Sequence, residues 1–171
     1  MAIINRPREN SKENNLVIEG ARIKYRNFAG REERFNPAGR RNFCLCLDEE
    51  LAKQMKLDGW NVRFPEPNED GEVDDPYVGI NVNFDGRIPP RIFLVTKRNK
   101  TLLDEGTVGQ LDYAEIANVD IIVRPYHWGD SVKGGIKGYV KTMYVTVVED
   151  EFAEKYSDLG RCEDDYCPFD E

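Results

Sequence analysis

Short stretches of alternating apolar and polar residues, each broken by glycine, proline or a cluster of turn residues, recur along this chain and commit most of it to β-structure. Residues 16–28 alternate after Val17, and they are expected to form one long strand bent near Gly20. On that reading Ile23 and Tyr25 share one face while Arg22, Lys24 and Arg26 share the other. Residues 29–40, with Gly30, Pro37 and Gly39, read as a long hairpin loop into a second strand over 42–47. Asp48 has the character of an N-cap, Glu49 and Glu50 suit a first helical turn, and Gly59 marks a stop, so a short helix is expected over 48–57. A brief strand over 60–64 leads to residues 65–76, which have the composition of an exposed loop whose acids stay solvated. Residues 77–84 and 91–96 read as two strands joined by the turn chemistry of Asp85-Gly86 and Pro89-Pro90. A short helix through Val108, Leu111 and Tyr113, a buried strand over 118–124, an aromatic turn over 125–133 and a long strand over 135–148 complete the body. This amounts to roughly seven strands and one or two short helices.

Many short strands, a helix inserted between them and several glycine bends suit a mainly β fold with minor α content, a small OB-like Greek-key barrel. An open α+β sheet with helices on one face is the alternative. The organisation expected is a loose polar arm over 1–14, one compact domain over 15–148 and a tail over 149–171.

The tail is the chain's second constraint. It carries ten acidic residues against Lys155 and Arg161, so it holds the whole formal charge of −8 and leaves a body of balanced charge. A segment so acidic and so poor in apolar residues cannot bury enough surface to offset its ordering entropy, and it is expected to be disordered and to seek a basic surface. Within the body, acid is concentrated in residues 64–75, and the stretches on either side are mildly basic. The low overall pI therefore does not exclude a nucleic-acid partner, because affinity depends on where cations meet phosphates.

Several chemistries are disfavoured. No run of about 18 apolar residues is present to span a membrane, and the N-terminus lacks a secretory signal, so a cytoplasmic protein is expected. Cys44 and Cys46, in an apolar run that reads as core, and Cys162 and Cys167, in the tail, are too sparse for a disulfide scaffold, and free thiols are the expectation. A four-thiolate zinc site can be drawn from them, but CxxC knuckles are missing, and neither metal nor cofactor is expected. His127 is the only histidine, which excludes triads needing a second imidazole, and the adjacent acids Asp74-Asp75 and Glu49-Glu50 lack a catalytic companion. The chain does not read as an enzyme.

What remains is an interleaving of cations and aromatic rings, the pattern a single-strand binder needs: cations track the backbone while ring faces stack on bases. Candidate contacts are Arg22, Lys24, Arg26, Arg31, Arg34 and Phe35 in the first strand and loop, within an interleaving that also takes in Tyr25, Phe28, Arg40, Arg41 and Phe43. A second cluster is Arg91, Lys97, Arg98 and Lys100, and a third is Arg124, Tyr126, Trp128, Lys137 and Lys141. A solvated face opposite core aromatics explains part of the first cluster equally well, though Arg34 and Phe35 lie in a polar loop with no core to fill. Trp128 is the favoured stacking residue, with a turn Trp folded over the core as its alternative.

Residues 163–169, Glu-Asp-Asp-Tyr-Cys-Pro-Phe, are similar to the acidic Pro-Phe tip of bacterial and phage single-strand binders. Residues 17–28 and 138–148 look like strands of phage proteins of that kind. With these segments in place, the chain resembles bacteriophage single-stranded DNA-binding proteins of the OB-fold class, although Asp170 and Glu171 follow Phe169 where the family usually ends. The resemblance implies a protein of phage DNA replication or recombination whose tail competes with DNA for the basic groove. It also implies that Asp164, Asp165, Tyr166, Pro168 and Phe169 recruit replication or recombination proteins, with single-stranded DNA as the main partner, no membrane, and homo-oligomerisation left open. The rival from another class is an acidic inhibitor that imitates DNA; the even charge of the body disfavours it.

Overall fold

The computed structural model of the chain describes residues 3–5, 15–129 and 132–149. Ten strands are present among them: β1 (Ile3–Asn5), β2 (Leu16–Glu19), β3 (Ile23–Asn27), β4 (Arg41–Cys46), β5 (Val62–Arg63), β6 (Tyr77–Val82), β7 (Arg91–Val95), β8 (Lys100–Leu103), β9 (Ile116–Trp128) and β10 (Gly135–Val147). One α-helix, α1 (Glu49–Asp58), and a 3-10 turn, Val108–Asp112, accompany them. The expectations that the tail is disordered and that Asp164, Asp165, Tyr166, Pro168 and Phe169 bind partners fall outside the described residues.

The strands are hydrogen-bonded in the order β1-β2-β9-β10-β6-β4-β3. Because β2 and β3 follow one another in the chain, that order closes on itself. Gly20, at φ 62, turns the chain between them, a backbone angle only glycine adopts without cost. Across the bend, Ala21 N donates to Val119 O at 2.7 Å and Cys46 N donates to Arg22 O at 2.9 Å, so one bent strand is bonded to both ends of the sheet. The result is a closed, mainly β barrel of OB type, with β6 parallel to β10 and the β9, β10 and β4 pairings antiparallel. Alternation does the rest. Phe43, Leu45, Ile80, Val82, Ile121, Val123, Val140, Met143 and Val145 point inward, where the Phe28 and Phe43 rings stack at 5.1 Å.

The helix forms where its caps allow it. The Asp48 carboxylate accepts from Leu51 N at 2.8 Å, Gly59 ends the helix in a left-handed cap, and Ala52 and Met55 bury its inner side.

Local departures from the sequence reading have physical causes. Residues 3–5, read as part of a loose arm, pair with β2 as an edge strand. The expected long strand over 16–28 is the bent β2–β3 unit, but its second half is broken by a bulge between Lys24 and Asn27. The turn segment between β6 and β7 does not pair them: the two strands lie end to end along one side of β10, both parallel to it. Lys100 and Thr101, too polar to read as a strand, open β8, which pairs with β7. The helix expected between 102 and 118 shrinks to the 3-10 turn, and the aromatic turn expected at 125–133 is strand over its first four residues, because β9 continues to Trp128. Proline is tolerated there since, among the described residues, β2 covers β9 only at Ile121–Val123 and no neighbour there draws on an N–H at Pro125.

Candidate nucleic-acid interface

The outer surface of the barrel is assembled from register. Asn42 on β4 pairs with Asn81 on β6, Asn81 with Tyr139 on β10, and Tyr139 with Arg124 on β9, so these four side chains form one line across the outside. In the next line Lys24 pairs with Cys44 and Cys44 with Gly79, while Lys137 pairs with Tyr126 on the far side. Cys46–Tyr77 and Gly135–Trp128 continue the pattern. An apolar core on the inner face thus projects an aromatic and cationic surface outward.

At the β3 edge, Tyr25 holds φ at 53°, the single non-glycine positive φ among the described residues. Such a conformation costs on the order of 1–2 kcal/mol for a residue with a Cβ and persists where surrounding structure imposes it. Here the bulge turns the ring out, leaving it 67 % exposed, with Tyr77 edge-on at 5.9 Å. Lys24 Nζ sits 4.3 Å from the Tyr77 centroid and 5.1 Å from that of Tyr25. The expectation that Tyr25 shares the core face with Ile23 is therefore corrected: Ile23 packs against the core and Tyr25 does not. At the other edge Trp128 is half-exposed beside Gly135, with Lys137 Nζ 5.8 Å from its ring, and Tyr126 meets Tyr139 edge to face at 6.2 Å.

Between these edges the surface is low. Gly79 is exposed in mid-strand, and a Cβ placed on it would meet no atom within 4 Å, so packing gives no reason for glycine there. Cys44 and Cys46 are half-exposed on this outer face and not in the core as read from the apolar run. Burial pushes both thiols up, with Lys24 pulling the other way, so they stay protonated at neutral pH. His127, also on β9, is exposed and pairs with Ile136. No group of three or more metal-ligating side chains is present among the described residues.

The remaining sequence-derived cations divide sharply. Arg26 donates to Leu111 O at 2.8 Å and Ala114 O at 2.7 Å, locking β3 to the 3-10 turn. Arg31 donates to Arg26 O and the Tyr113 hydroxyl and lies 3.7 Å from the Asp112 carboxylate, which is buried and accepts from Phe28 N and Ala29 N. Both guanidinium groups are thus spent on the protein. Arg22 forms an ion pair with Asp75, so the acidic loop is not wholly solvated and reaches the end of the face. Arg34 lies over the ring of Phe35, which is 85 % exposed, and both belong to the loop 28–40 anchored by Asp112.

The second expected cluster lies apart, over β7 and β8. Arg91 and Lys100 cover Phe93, which stacks on Tyr144 at 4.8 Å, and Lys97 N donates to the Glu149 carboxylate at 3.4 Å. Arg98 and Lys141 are exposed and engaged with neighbouring groups. Tyr77, Asn81 and Tyr139 join the face without having been singled out as contacts. Tyr77 and Tyr139 each precede a buried valine, Val78 and Val140, and that alternation is the signal that places their rings on the outer face.

Residues 7–170 match the family described as "Putative phage ssDNA-binding domain". Among solved structures, the fold is similar to the single-stranded DNA-binding protein from bacteriophage Enc34 in complex with ssDNA, at a TM-score of 0.50 and 9% identity, covering 85% of this chain and 96% of that one. A second structure, of the single-stranded DNA-binding protein from bacteriophage Enc34, matches at a TM-score of 0.48 and 11% identity over 92% and 99% of the two chains. At such identities the likeness is one of fold. No curated protein sequence matches the chain.

Proposed function

Because the chain belongs to the phage ssDNA-binding domain family, we propose that it binds single-stranded DNA across the outer face of β3, β4, β6, β10 and β9. The observation that carries this reading is the alternation of rings and cations on that face: Tyr25, Lys24 and Tyr77 at one side, Trp128, Lys137, Tyr126, Tyr139 and Arg124 at the other. Rings give sequence-tolerant stacking and the cations neutralise phosphates, so the face has what a strand of any sequence requires. Arg34 and Phe35 close over the strand from the loop 28–40. Arg91, Lys97, Arg98, Lys100 and Lys141 extend the cationic track along β7, β8 and β10, whereas Arg26 and Arg31 hold the fold and Arg22 sits at the acidic boundary.

The acidic tail competes with DNA for this face and, once displaced, recruits enzymes of phage DNA replication or recombination through Asp164, Asp165, Tyr166, Pro168 and Phe169. The protein acts in the host cytoplasm by binding, without catalysis of its own. The test is fluorescence anisotropy of a labelled dT oligonucleotide of about 30 nucleotides with the full chain and with a chain ending at Glu149, at low and moderate salt. Salt-sensitive binding that tightens on removal of residues 150–171, most at low salt, is expected. Binding by neither chain sinks the reading; equal affinities at low salt sink the competing tail alone.

A further inference from the structure

An open groove of about 300 Å3 lies on the outer face between the end of the loop 28–40 and β10, lined by Gly39, Arg40, Asn81, Asn83, Lys137 and Tyr139 among others. That volume is at the lower end of the range for small-ligand sites, about 300–1,000 Å3, and suits one nucleotide better than a run of them. Its polar groups converge. Asn81 Nδ2 donates to Gly138 O at 3.3 Å, which fixes the amide and leaves Oδ1 as its acceptor; none of the hydrogen bonds among the described residues uses that oxygen. Tyr139 is half-exposed, and Tyr126 meets it at 85°, edge to face, so the pair leaves ring surface for a third aromatic group. Arg40 is exposed on one wall and Lys137 on the other, and Gly79, one line away on β6, keeps the approach open.

Resting on the single-strand reading above, we propose that this groove is a discrete subsite for one nucleotide of the bound strand. Its base stacks on Tyr139 and donates an edge N–H to Asn81 Oδ1, while Arg40 and Lys137 meet the flanking phosphates. Every base carries an N–H on its Watson–Crick edge, so the subsite registers the presence of a base and not its identity. It sets the phase of the strand on a face that otherwise stacks bases wherever they fall.

The experiment is abasic scanning with the full-length protein: the shortest dT oligonucleotide that binds fully, and the same oligonucleotide with one base removed at each position in turn. A loss of about tenfold is expected at one position, with smaller losses elsewhere. Tyr139→Ala and Asn81→Leu weaken the intact oligonucleotide by a similar factor and lose the position-dependent penalty, with melting temperature confirming that they fold. Arg40→Gln, at an exposed side chain, keeps the abasic penalty but flattens the salt dependence. A uniform abasic profile, or variants that retain the wild-type profile, overturns the subsite while leaving the single-strand reading intact. Failure of the wild-type protein to bind any of these oligonucleotides overturns both.

Discussion

Two groups of cations drawn from the same basic stretch, residues 22–41, do opposite work. Arg26, Arg31 and Arg41 turn inward: Arg41 Nη1 donates to Phe28 O at 2.8 Å and pairs with Glu105, just as Arg26 reaches the carbonyls of Leu111 and Ala114. Together with buried Asp112 they tie β3 and the loop 28–40 to the 3-10 turn. Lys24 and Arg40 turn outward, Lys24 over the tyrosine rings of the outer face and Arg40 into its groove. A guanidinium whose donors are satisfied by carbonyls has little left for a phosphate, whereas an ammonium over a ring remains available. Basic composition therefore overstates the binding surface by counting its scaffolding.

The comparison breaks most readily at the rings. Tyr25→Ala combined with Trp128→Ala should cost about 2–6 kcal/mol of single-strand affinity in anisotropy titrations, with the urea midpoint nearly unchanged. If the midpoint falls with the affinity, these rings belong to the scaffold. Asp112→Ala is the converse: it strips the acceptor from Phe28 N and Ala29 N and leaves Arg31 unbalanced, so urea unfolding should lose about 3 kcal/mol while the folded fraction keeps the share of its DNA affinity that the outer-face rings supply. Tyr25→Gly sharpens the division at one residue. Relief of the positive φ should raise stability by about 1 kcal/mol while affinity falls about tenfold, and a fall in both would remove the case for strain held at a binding position. The smallest effect is in salt dependence. Lys24→Ala and Lys137→Ala should each lower the slope of log K against log salt by about one, and Arg31→Ala should leave it unaltered.

Much of the barrel is legible in residue order. The turn at Gly20, the Asp48 and Gly59 caps, and the inward Phe43, Leu45, Ile80 and Val82 all follow from alternation and cap chemistry. The outer face is less so. Tyr25 carries no local signal of its positive φ, since neither glycine nor asparagine occupies that position, and the alternation on either side assigns it to the core. Pro125 and Gly129 make residues 125–129 look like a turn, because tolerance of proline depends on which neighbouring strand happens to stop short. The roles of Arg26 and Arg31 depend on residues more than eighty positions away, which no local pattern contains.

The bend at Gly20 also sets a clock. Its amide donates to the carboxylate of Asp120, a hundred residues later in the chain. A ribosome adding about 5–20 residues per second has roughly 5–20 s of synthesis to complete between the two. During that interval the first half of the barrel has no partner for its apolar face, and folding must wait for β9 and β10 before the ring can shut. A closed sheet of such long-range pairings is intrinsically slow to form, and the nascent chain carries an open half-barrel until its last strands emerge.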